Sequence, residues 1–296
     1  MRPTNFDDFI GNDRGKTQLK IATIAARKRV EAVPHTLFVG GAGQGKTTLA
    51  RIVAQQSGRK FRSTVGSDFD NLIDIQRVLF DIGLFGIWFI DEIHLFKPAL
   101  QETMLPLIED FIMPINQTSY HMPPFTVIGA TTDPQKLGKP YKDRFKYTIY
   151  LEEYSYDEIY AMLKQLINYA TVDEEALRMM STICRNTGRH AVTLATTTLK
   201  DFCITMGIDH ITSQIVQELM EVHGVYPLGL NRQEIVYLNT LKSGIPQSYA
   251  SMKARCGADV VDDAERYLEK MGFMEKTTQG RIITREGRRY LSHVQP

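Results

Sequence analysis

A glycine-rich stretch near the N-terminus has the residue types and spacing of a phosphate-binding loop. VGGAGQGKTTLARI contains Gly40, then four residues, then Gly45, Lys46 and Thr47. Backbone N–H groups of such a loop surround a phosphate at the start of the next helix, and glycines such as Gly43 allow close approach. Lys46 would reach the β- and γ-phosphate oxygens, and the Thr47 hydroxyl would coordinate Mg²⁺. The stretch therefore predicts a bound nucleotide.

A pair of carboxylates follows an apolar run about 40 residues further on. In IWFIDEIH, apolar residues lead directly to Asp91 and Glu92. Ligands of α/β sheets bind at the carboxyl ends of the strands, so this pair is expected beside the phosphates. Asp91 would hold magnesium through water, and Glu92 would orient an attacking water molecule. The pair predicts hydrolysis of the nucleotide.

Three further sites each have a functional and a structural interpretation. In FTVIGATT, Thr131 or Thr132 contacts the γ-phosphate or simply ends a strand. In GKPYKDRF, Arg144 is a solvated side chain or an arginine finger for a neighbouring subunit, worth about 10³–10⁵ in rate where it operates. In RNTGRHA, Arg189 is solvated or closes a helical module over the phosphates. Spacing alone leaves these alternatives open.

Alternating strands and helices must position these residues. The predicted elements of the first half are, in chain order, a helix over 18–29, a strand over 35–40, a helix over 47–56, a strand over 87–91, a helix over 98–110 and a strand over 125–132. This alternation predicts a parallel sheet covered on both faces. Residues 155–223 have a helical pattern throughout, and 224–231 carry the glycine and proline of a linker.

The C-terminal part has three helical patterns followed by a hairpin. GFMEKTTQGRIITREG forms the hairpin, with two short strands around a turn. The order predicts a winged helix. The chain is therefore divided into an α/β NTPase domain over 1–152, a helical lid over 153–224 and a winged helix over 225–296.

Positive and negative charges nearly cancel over the whole chain, but positive charge is concentrated near its end. The net charge is +1, whereas the segment from Lys276 to Arg289 has five basic residues and one acidic residue. The preceding pattern, DDAERYLEKMG, is acidic and would be repelled by phosphates in a major groove. The hairpin is thus predicted to contact the DNA backbone without reading sequence. The alternative is a solvated basic hairpin.

The spacing of the cysteines and the length of the apolar runs indicate in which cellular compartment the protein is expected. Cys184, Cys203 and Cys256 are scattered, as is typical of reduced thiols in the cytoplasm. No apolar run approaches the ~18 residues that a membrane span needs. A cytoplasmic location without a membrane partner is expected.

The ordered motifs resemble the AAA+ ATPases and, in detail, the RuvB family of Holliday-junction branch-migration motors. The matching stretches are RPTNFDDFIG, IDEIHLF, IEDF, PPFTVIGATT, PYKDRF, RNTGRHA and GFMEKTTQGRIIT, in the family's order over essentially the whole chain. The resemblance implies the AAA+ fold, hydrolysis of ATP with Mg²⁺, and a homo-oligomeric, hexameric ring. It also implies a double-stranded or four-way-junction DNA substrate, moved without sequence preference during recombination and repair.

The resemblance further implies roles for individual residues. Arg2 would lie at the adenine end, Tyr154 would contact the nucleotide at a domain junction, and Arg189 would be sensor 2. The residues implied to hold phosphates and metal are Gly43, Gly45, Lys46, Thr47, Thr48 and Asp91. Those implied to act in hydrolysis are Asp91 and Glu92 as the Walker B pair, Thr132 (or Thr131) as sensor 1, and Arg144 as the finger acting in trans. Those implied to contact DNA are Lys276 and Arg281.

The sequence departs from the family pattern at one segment, and two other functions are less favoured by its motifs. FIMPINQTSYHMP, at 111–123, is shorter than the family's hairpin that docks onto a junction-binding partner, and a proline interrupts it. This departure argues against that recruiting partner. A clamp-loader-like switch is disfavoured by the winged helix, because such proteins end in a helical collar. A DNA-binding adaptor with weak hydrolysis is disfavoured by Glu92, Arg144 and Arg189.

Overall fold

The computed structural model describes residues 3–115 and 118–294, so the role predicted for Arg2 falls outside the described residues. The chain forms two compact units. The first unit contains the chain up to Met162 together with Asn186–Val192. The second unit contains Leu163–Arg185 and the chain from Thr193 onward. The predicted division into three domains stays a prediction.

Five parallel strands form the sheet of the first unit, in the spatial order β2-β3-β6-β1-β7. The strands of the whole described chain are β1 Thr36–Val39, β2 Phe61–Val65, β3 Ile87–Asp91, β4 Ile112–Ile115, β5 Thr118–His121, β6 Thr126–Thr131, β7 Tyr147–Tyr150, β8 Thr171–Val172, β9 His210–Ile211, β10 Met274–Thr277 and β11 Gly280–Ile283. β4 pairs with β5, and β10 with β11, as antiparallel hairpins. The predicted parallel sheet and C-terminal hairpin are confirmed.

Fourteen helices accompany these strands in the described residues. They are α1 Asp13–Arg29, α2 Lys46–Ser57, α3 Leu72–Ile82, α4 Pro98–Asp110, α5 Lys139–Lys142, α6 Tyr156–Leu166, α7 Glu174–Ile183, α8 Gly188–Thr193, α9 Leu199–Met206, α10 Ser213–His223, α11 Arg232–Thr240, α12 Tyr249–Cys256, α13 Ala258–Lys270 and α14 Arg285–His293. The order α11, α12, α13, β10, β11 confirms the predicted winged helix.

The inner strand β3 shows why the sheet forms where it does. Trp88 and Ile90 belong to the core on one face of the sheet, whereas Ile87 and Phe89 belong to the core on the other face. Successive residues of a strand point to opposite faces, so a continuous apolar run fits a strand that is buried on both sides. The run ends at Asp91, which is the first residue of β3 with access to solvent. The packing therefore delivers the carboxylate pair to the edge of the sheet.

The segment predicted to be a linker is packed. Pro227–Gly229 forms a short helical turn, the N–H of Tyr226 donates to the carbonyl of Leu230 at 2.7 Å, and Leu230 is fully buried. A Cβ on Gly229 would lie 2.4 Å from the carbonyl oxygen of Ile183. The glycine is therefore needed for close packing in the second unit rather than for flexibility. No helix within 3–115 or 118–294 has the length and hydropathy to cross a membrane.

Candidate active site and winged helix

The phosphate-binding loop connects β1 to α2, the context that the motif requires. Gly43 and Gly45 have φ angles of 78° and 88°, in the left-handed region that favours glycine. A Cβ on Gly45 would lie 2.7 Å from the Phe9 ring and 2.8 Å from the Tyr154 hydroxyl. The N-terminal segment and Tyr154 thus pack directly on the loop, and Gly45 is required by both backbone and packing.

Lys46 is enclosed at the first position of α2. Its Nζ donates to the carbonyl oxygens of Gly40 at 2.7 Å and Gly41 at 2.8 Å. Burial lowers the pKa of Lys46, while the charges of Glu92 and Asp91 raise it. The cation therefore lies within the electrostatic field of both predicted carboxylates, as a phosphate-binding lysine beside a hydrolytic pair should.

Tyr154 and Arg189 come together at the same loop. The Tyr154 hydroxyl donates to the Gln44 carbonyl at 3.3 Å, and burial raises the pKa of this tyrosine. A Cβ on Gly43 would lie 3.1 Å from Cβ of Arg189. The charge of Arg189 also lowers the pKa of Lys46. The structure thus gathers the loop, the tyrosine and the lid arginine, although they are far apart in sequence.

Thr47 and Thr48 occupy the first turn of α2, and Asp91 ends β3. A hydroxyl and a carboxylate are oxygen donors of the kind that Mg²⁺ prefers, and this ion usually keeps water and substrate phosphates as its other ligands. No group of three or more His, Cys, Asp or Glu side chains suited to a metal is found among the described residues. Thr47 and Asp91 therefore fit a Mg²⁺ ion whose other ligands are mainly water and the phosphates of the substrate.

Glu92 is held by contacts on several sides. Its backbone is left-handed at φ 45° and ψ 50°, an uncommon conformation outside glycine. Its Oε2 accepts hydrogen bonds from the Thr132 N–H at 3.2 Å and the Thr132 hydroxyl at 3.1 Å. His94 Nδ1 lies 3.2 Å from the same oxygen. A Cβ on Gly66 would lie 2.5 Å from the Glu92 carbonyl, so only glycine fits there.

The two threonines at the end of β6 have different surroundings. Thr131 is buried, accepts the Asp133 N–H at 3.0 Å and lies 2.9 Å from His94 Nδ1. Thr132 is exposed and contacts Glu92 directly. Sequence reasoning did not identify His94, although the histidine stands three residues after Asp91 in IDEIHLF. Its role depends on how β3 and β6 lie side by side, which spacing alone does not reveal.

Arg144 contacts a carboxylate on α4. Its Nη2 lies 2.7 Å from Oε2 of Glu109, and its side chain is 30% exposed. Its Nε is enclosed without a hydrogen-bond partner in the described residues. Glu109 is a second residue that sequence reasoning did not identify as a partner. The ion pair shows where the predicted finger rests within its own chain.

Lys276 and Arg281 form ion pairs within the winged helix. Arg281 Nε lies 2.8 Å from Oε1 of Glu265, and Lys276 Nζ lies 3.2 Å from Oε2 of Glu265 and 3.0 Å from Oε2 of Glu269. The Tyr237 hydroxyl donates to Glu265 at 2.9 Å. Burial alone would raise the pKa of Glu265, but the hydrogen bonds from Arg281, Tyr237 and Lys276 outweigh it and lower the pKa. Both predicted DNA contacts therefore fasten the hairpin to α13.

Fold and site together define a class: a P-loop nucleotide hydrolase of the α/β type that carries a winged helix. The model of the Holliday junction DNA helicase RuvB P-loop domain matches residues 1–151, and that of the RuvB C-terminal winged helix domain matches 227–292. The chain belongs to the RuvB family.

Individual relatives match over nearly the whole chain. The RuvB subunit of the Holliday junction branch migration complex from Wolbachia sp. subsp. Drosophila simulans is 32% identical, covering 99% of this chain and 94% of the relative. Its counterpart from Campylobacter jejuni strain RM1221 is 34% identical, covering 96% and 89%. The solved Thermotoga maritima RuvB Holliday junction branch migration motor has a TM-score of 0.84 at 31% identity, covering 100% of this chain and 99% of that one. The predicted family and fold class are confirmed.

Proposed function

We propose that this protein is an ATP-driven DNA motor that moves the branch point of Holliday junctions. The observation that carries the proposal is the cluster of Lys46, Glu92 and Thr132 at one edge of the sheet, in a chain that ends in a winged helix. Relatives bearing the names of branch-migration subunits support the choice of substrate.

Hydrolysis follows from the chemistry of these residues. The loop N–H groups and Lys46 bind the phosphates, and phosphate binding replaces the two carbonyl contacts of Lys46. Glu92 orients the attacking water and accepts its proton. Thr47 and Asp91 would hold Mg²⁺, which neutralises charge on the phosphates. The Thr132 hydroxyl donates to Glu92 and would be free to turn to a γ-phosphate when ATP binds, so Thr132 is the proposed sensor 1.

The remaining nucleotide-site residues link hydrolysis to movement. Tyr154 and Arg189 pack on the phosphate-binding loop, so a change in the phosphates alters the contacts of the helical lid. Arg144 rests on Glu109, and in the proposed hexameric ring it acts as the finger for the neighbouring subunit. Thr48, in the first turn of α2, is a further proposed phosphate contact. Arg2 is the proposed contact at the adenine end of the nucleotide.

The proposed DNA substrate is double-stranded or four-way-junction DNA, contacted through its backbone by the winged helix. Lys276 and Arg281 remain the residues of the hairpin that are proposed to contact DNA. Their positive charges are partly neutralised by ion pairs with Glu265. The antiparallel hairpin of β4 and β5 has four residues in each strand, so the proposal does not extend to the family's recruiting partner. The proposed compartment is the cytoplasm, in keeping with three cysteines that form no disulfide bond in the described residues.

A synthetic four-way junction tests this function. Wild-type protein is expected to separate the junction into duplexes only with ATP and Mg²⁺. Glu92→Gln should lower kcat about 10²–10⁴-fold with ATP binding retained, because it removes the proton acceptor. Glu102→Gln makes the same chemical change at an exposed position and should behave as wild type. Junction separation at full rate without ATP, or by Glu92→Gln, would show that the proposal is wrong.

A further inference from the structure

The helix after the hairpin, α14, presents a basic face to solvent. Arg285, Arg288 and Arg289 are all exposed. Their spacing of three and four residues places them on one side of a helix. None of the three forms an ion pair with a carboxylate of the described residues. Glu286 is exposed in the first turn of the same helix, so residues 285–289 carry three positive charges and one negative charge.

Packing fixes the direction in which this face points. A Cβ on Gly287 would lie 2.2 Å from the Phe273 carbonyl oxygen, and the Tyr290 ring stacks on Phe273 at 4.7 Å. Gly287 and Leu291 form the buried side of α14, opposite the arginines. The Arg288 guanidinium lies against Gly244, where any Cβ would come within 2.2 Å of it. The basic face is thus held on a rigid element rather than on a mobile tail.

The other charged parts of the winged helix are less suited to bind phosphate. Lys276 and Arg281 are ion-paired with Glu265. On α13, the exposed side chains include Asp259, Asp262 and Asp263, which repel phosphates. Arg232, Arg255 and Arg266 are also exposed but are spread over α11, α12 and α13, whereas α14 carries three exposed arginines within five residues.

The position of the arginines is unfavourable for the helix itself. Arg285 lies in the first turn, where the helix dipole disfavours a cation. Arg285 also repels Arg288 and Arg289, since like charges three and four residues apart destabilise a helix. An arrangement that costs the helix stability is the kind that proteins retain where a surface serves binding.

We propose that Arg285, Arg288 and Arg289 bind the phosphate backbone of double-stranded DNA and form the main electrostatic contact of the winged helix. The inference rests on the proposed function, because it assumes that DNA is the substrate. Backbone contact without base reading suits a motor, which must hold every sequence and release it again.

Salt-dependent binding of the full-length protein to a duplex oligonucleotide tests the proposal. The triple variant Arg285→Gln, Arg288→Gln, Arg289→Gln should bind at least about tenfold more weakly, and its slope of log K against log salt should be shallower by about 2 to 3. The matched control replaces Arg232, Arg255 and Arg266 with glutamine, which removes the same charge from exposed positions of the same unit. The control should keep the wild-type slope.

Other outcomes separate the inference from the function on which it rests. Wild-type affinity and slope in the α14 variant, with DNA binding intact, would overturn the inference alone. An equal loss in both triple variants would overturn it too, because net charge rather than this face would then set the affinity. Failure of the wild-type protein to bind any DNA would instead reject the proposed function. Thermal unfolding should show the α14 variant to be at least as stable as wild type, since a repulsive cluster has been removed.

Discussion

At the scale of single residues, the central feature is how tightly Glu92 is constrained. Its left-handed backbone costs about 1–3 kcal/mol for a residue with a side chain. Strain of this kind persists only where surrounding contacts hold it, and Thr132, His94 and Gly66 supply them. The carboxylate is thus positioned before substrate binds, which is what orientation of a water molecule demands.

His94 is expected to act as a positioning residue for Glu92. Its Nδ1 faces both Glu92 and Thr131, and it donates to the carboxylate only when it carries the proton. His94→Leu should lower kcat about 10- to 100-fold and leave KM for ATP unchanged, because positioning and not binding is lost. His94→Asn should restore most of kcat, since its amide N–H can occupy the place of Nδ1. Steady-state ATPase kinetics of the two variants provide the measurement.

A structural role for His94 would give a different pattern. Its side chain is 8% exposed, so a simple packing role predicts that both replacements lower thermal stability and activity together. Equal kcat in the leucine and asparagine variants would contradict the positioning role.

At the scale of elements, the sequence predicted strands that are buried on both sides. The apolar run at Ile87–Asp91 was predicted to the residue, as was the helix Pro98–Asp110. The edge strand Phe61–Val65 was not predicted, because its FRSTV sequence is largely exposed and lacks an apolar run. Likewise the contact of Thr132 with Glu92 depends on the pairing of β3 with β6, which are distant in the chain, and no local pattern encodes it.

His35, just before β1, makes the stability of the first unit depend on pH. Its Nδ1 accepts the Val127 N–H at 2.8 Å, and burial lowers its pKa from 6.5 to about 4. Between these two values the unfolded chain binds a proton that the folded chain does not, so stability falls as pH falls from 6.5 towards 4. His35→Asn keeps an acceptor and removes the titration. Its melting temperature should fall less steeply than that of wild type over this range, and parallel pH profiles would contradict the prediction.

The winged helix depends on Glu265 as its ionic anchor. Glu265 is 4% exposed and accepts from Arg281, Lys276 and Tyr237. Glu265→Gln should destabilise the protein by about 1–3 kcal/mol, because Arg281 and Tyr237 lose a buried, charged acceptor. Glu269→Gln is the control, since this exposed pair with Lys276 is worth at most about 1 kcal/mol. Thermal unfolding of both variants measures the difference, and similar losses in the two would contradict the anchor role.

At the scale of the whole molecule, the proposed site takes residues from two chains. Arg144 rests on Glu109 and not on the phosphate-binding loop of its own chain. A finger that acts on a neighbour makes hydrolysis a property of the interface, so each step in one subunit is sensed by the next. The sequence motifs predicted this division of roles through their resemblance to the RuvB family. The ion pair with Glu109 became visible only in the structure.

The most direct measurement mixes two inactive variants on a four-way junction. Arg144→Ala lacks the proposed finger and Glu92→Gln lacks the proposed water-orienting carboxylate, so each protein alone should show little ATP-dependent junction separation. In an equal mixture, some interfaces join an intact Glu92 to an intact Arg144 of the neighbour, and part of the wild-type activity should return. Full activity of Arg144→Ala alone, or mixtures no more active than the separate variants, would contradict an ATP-driven motor whose sites are shared between subunits.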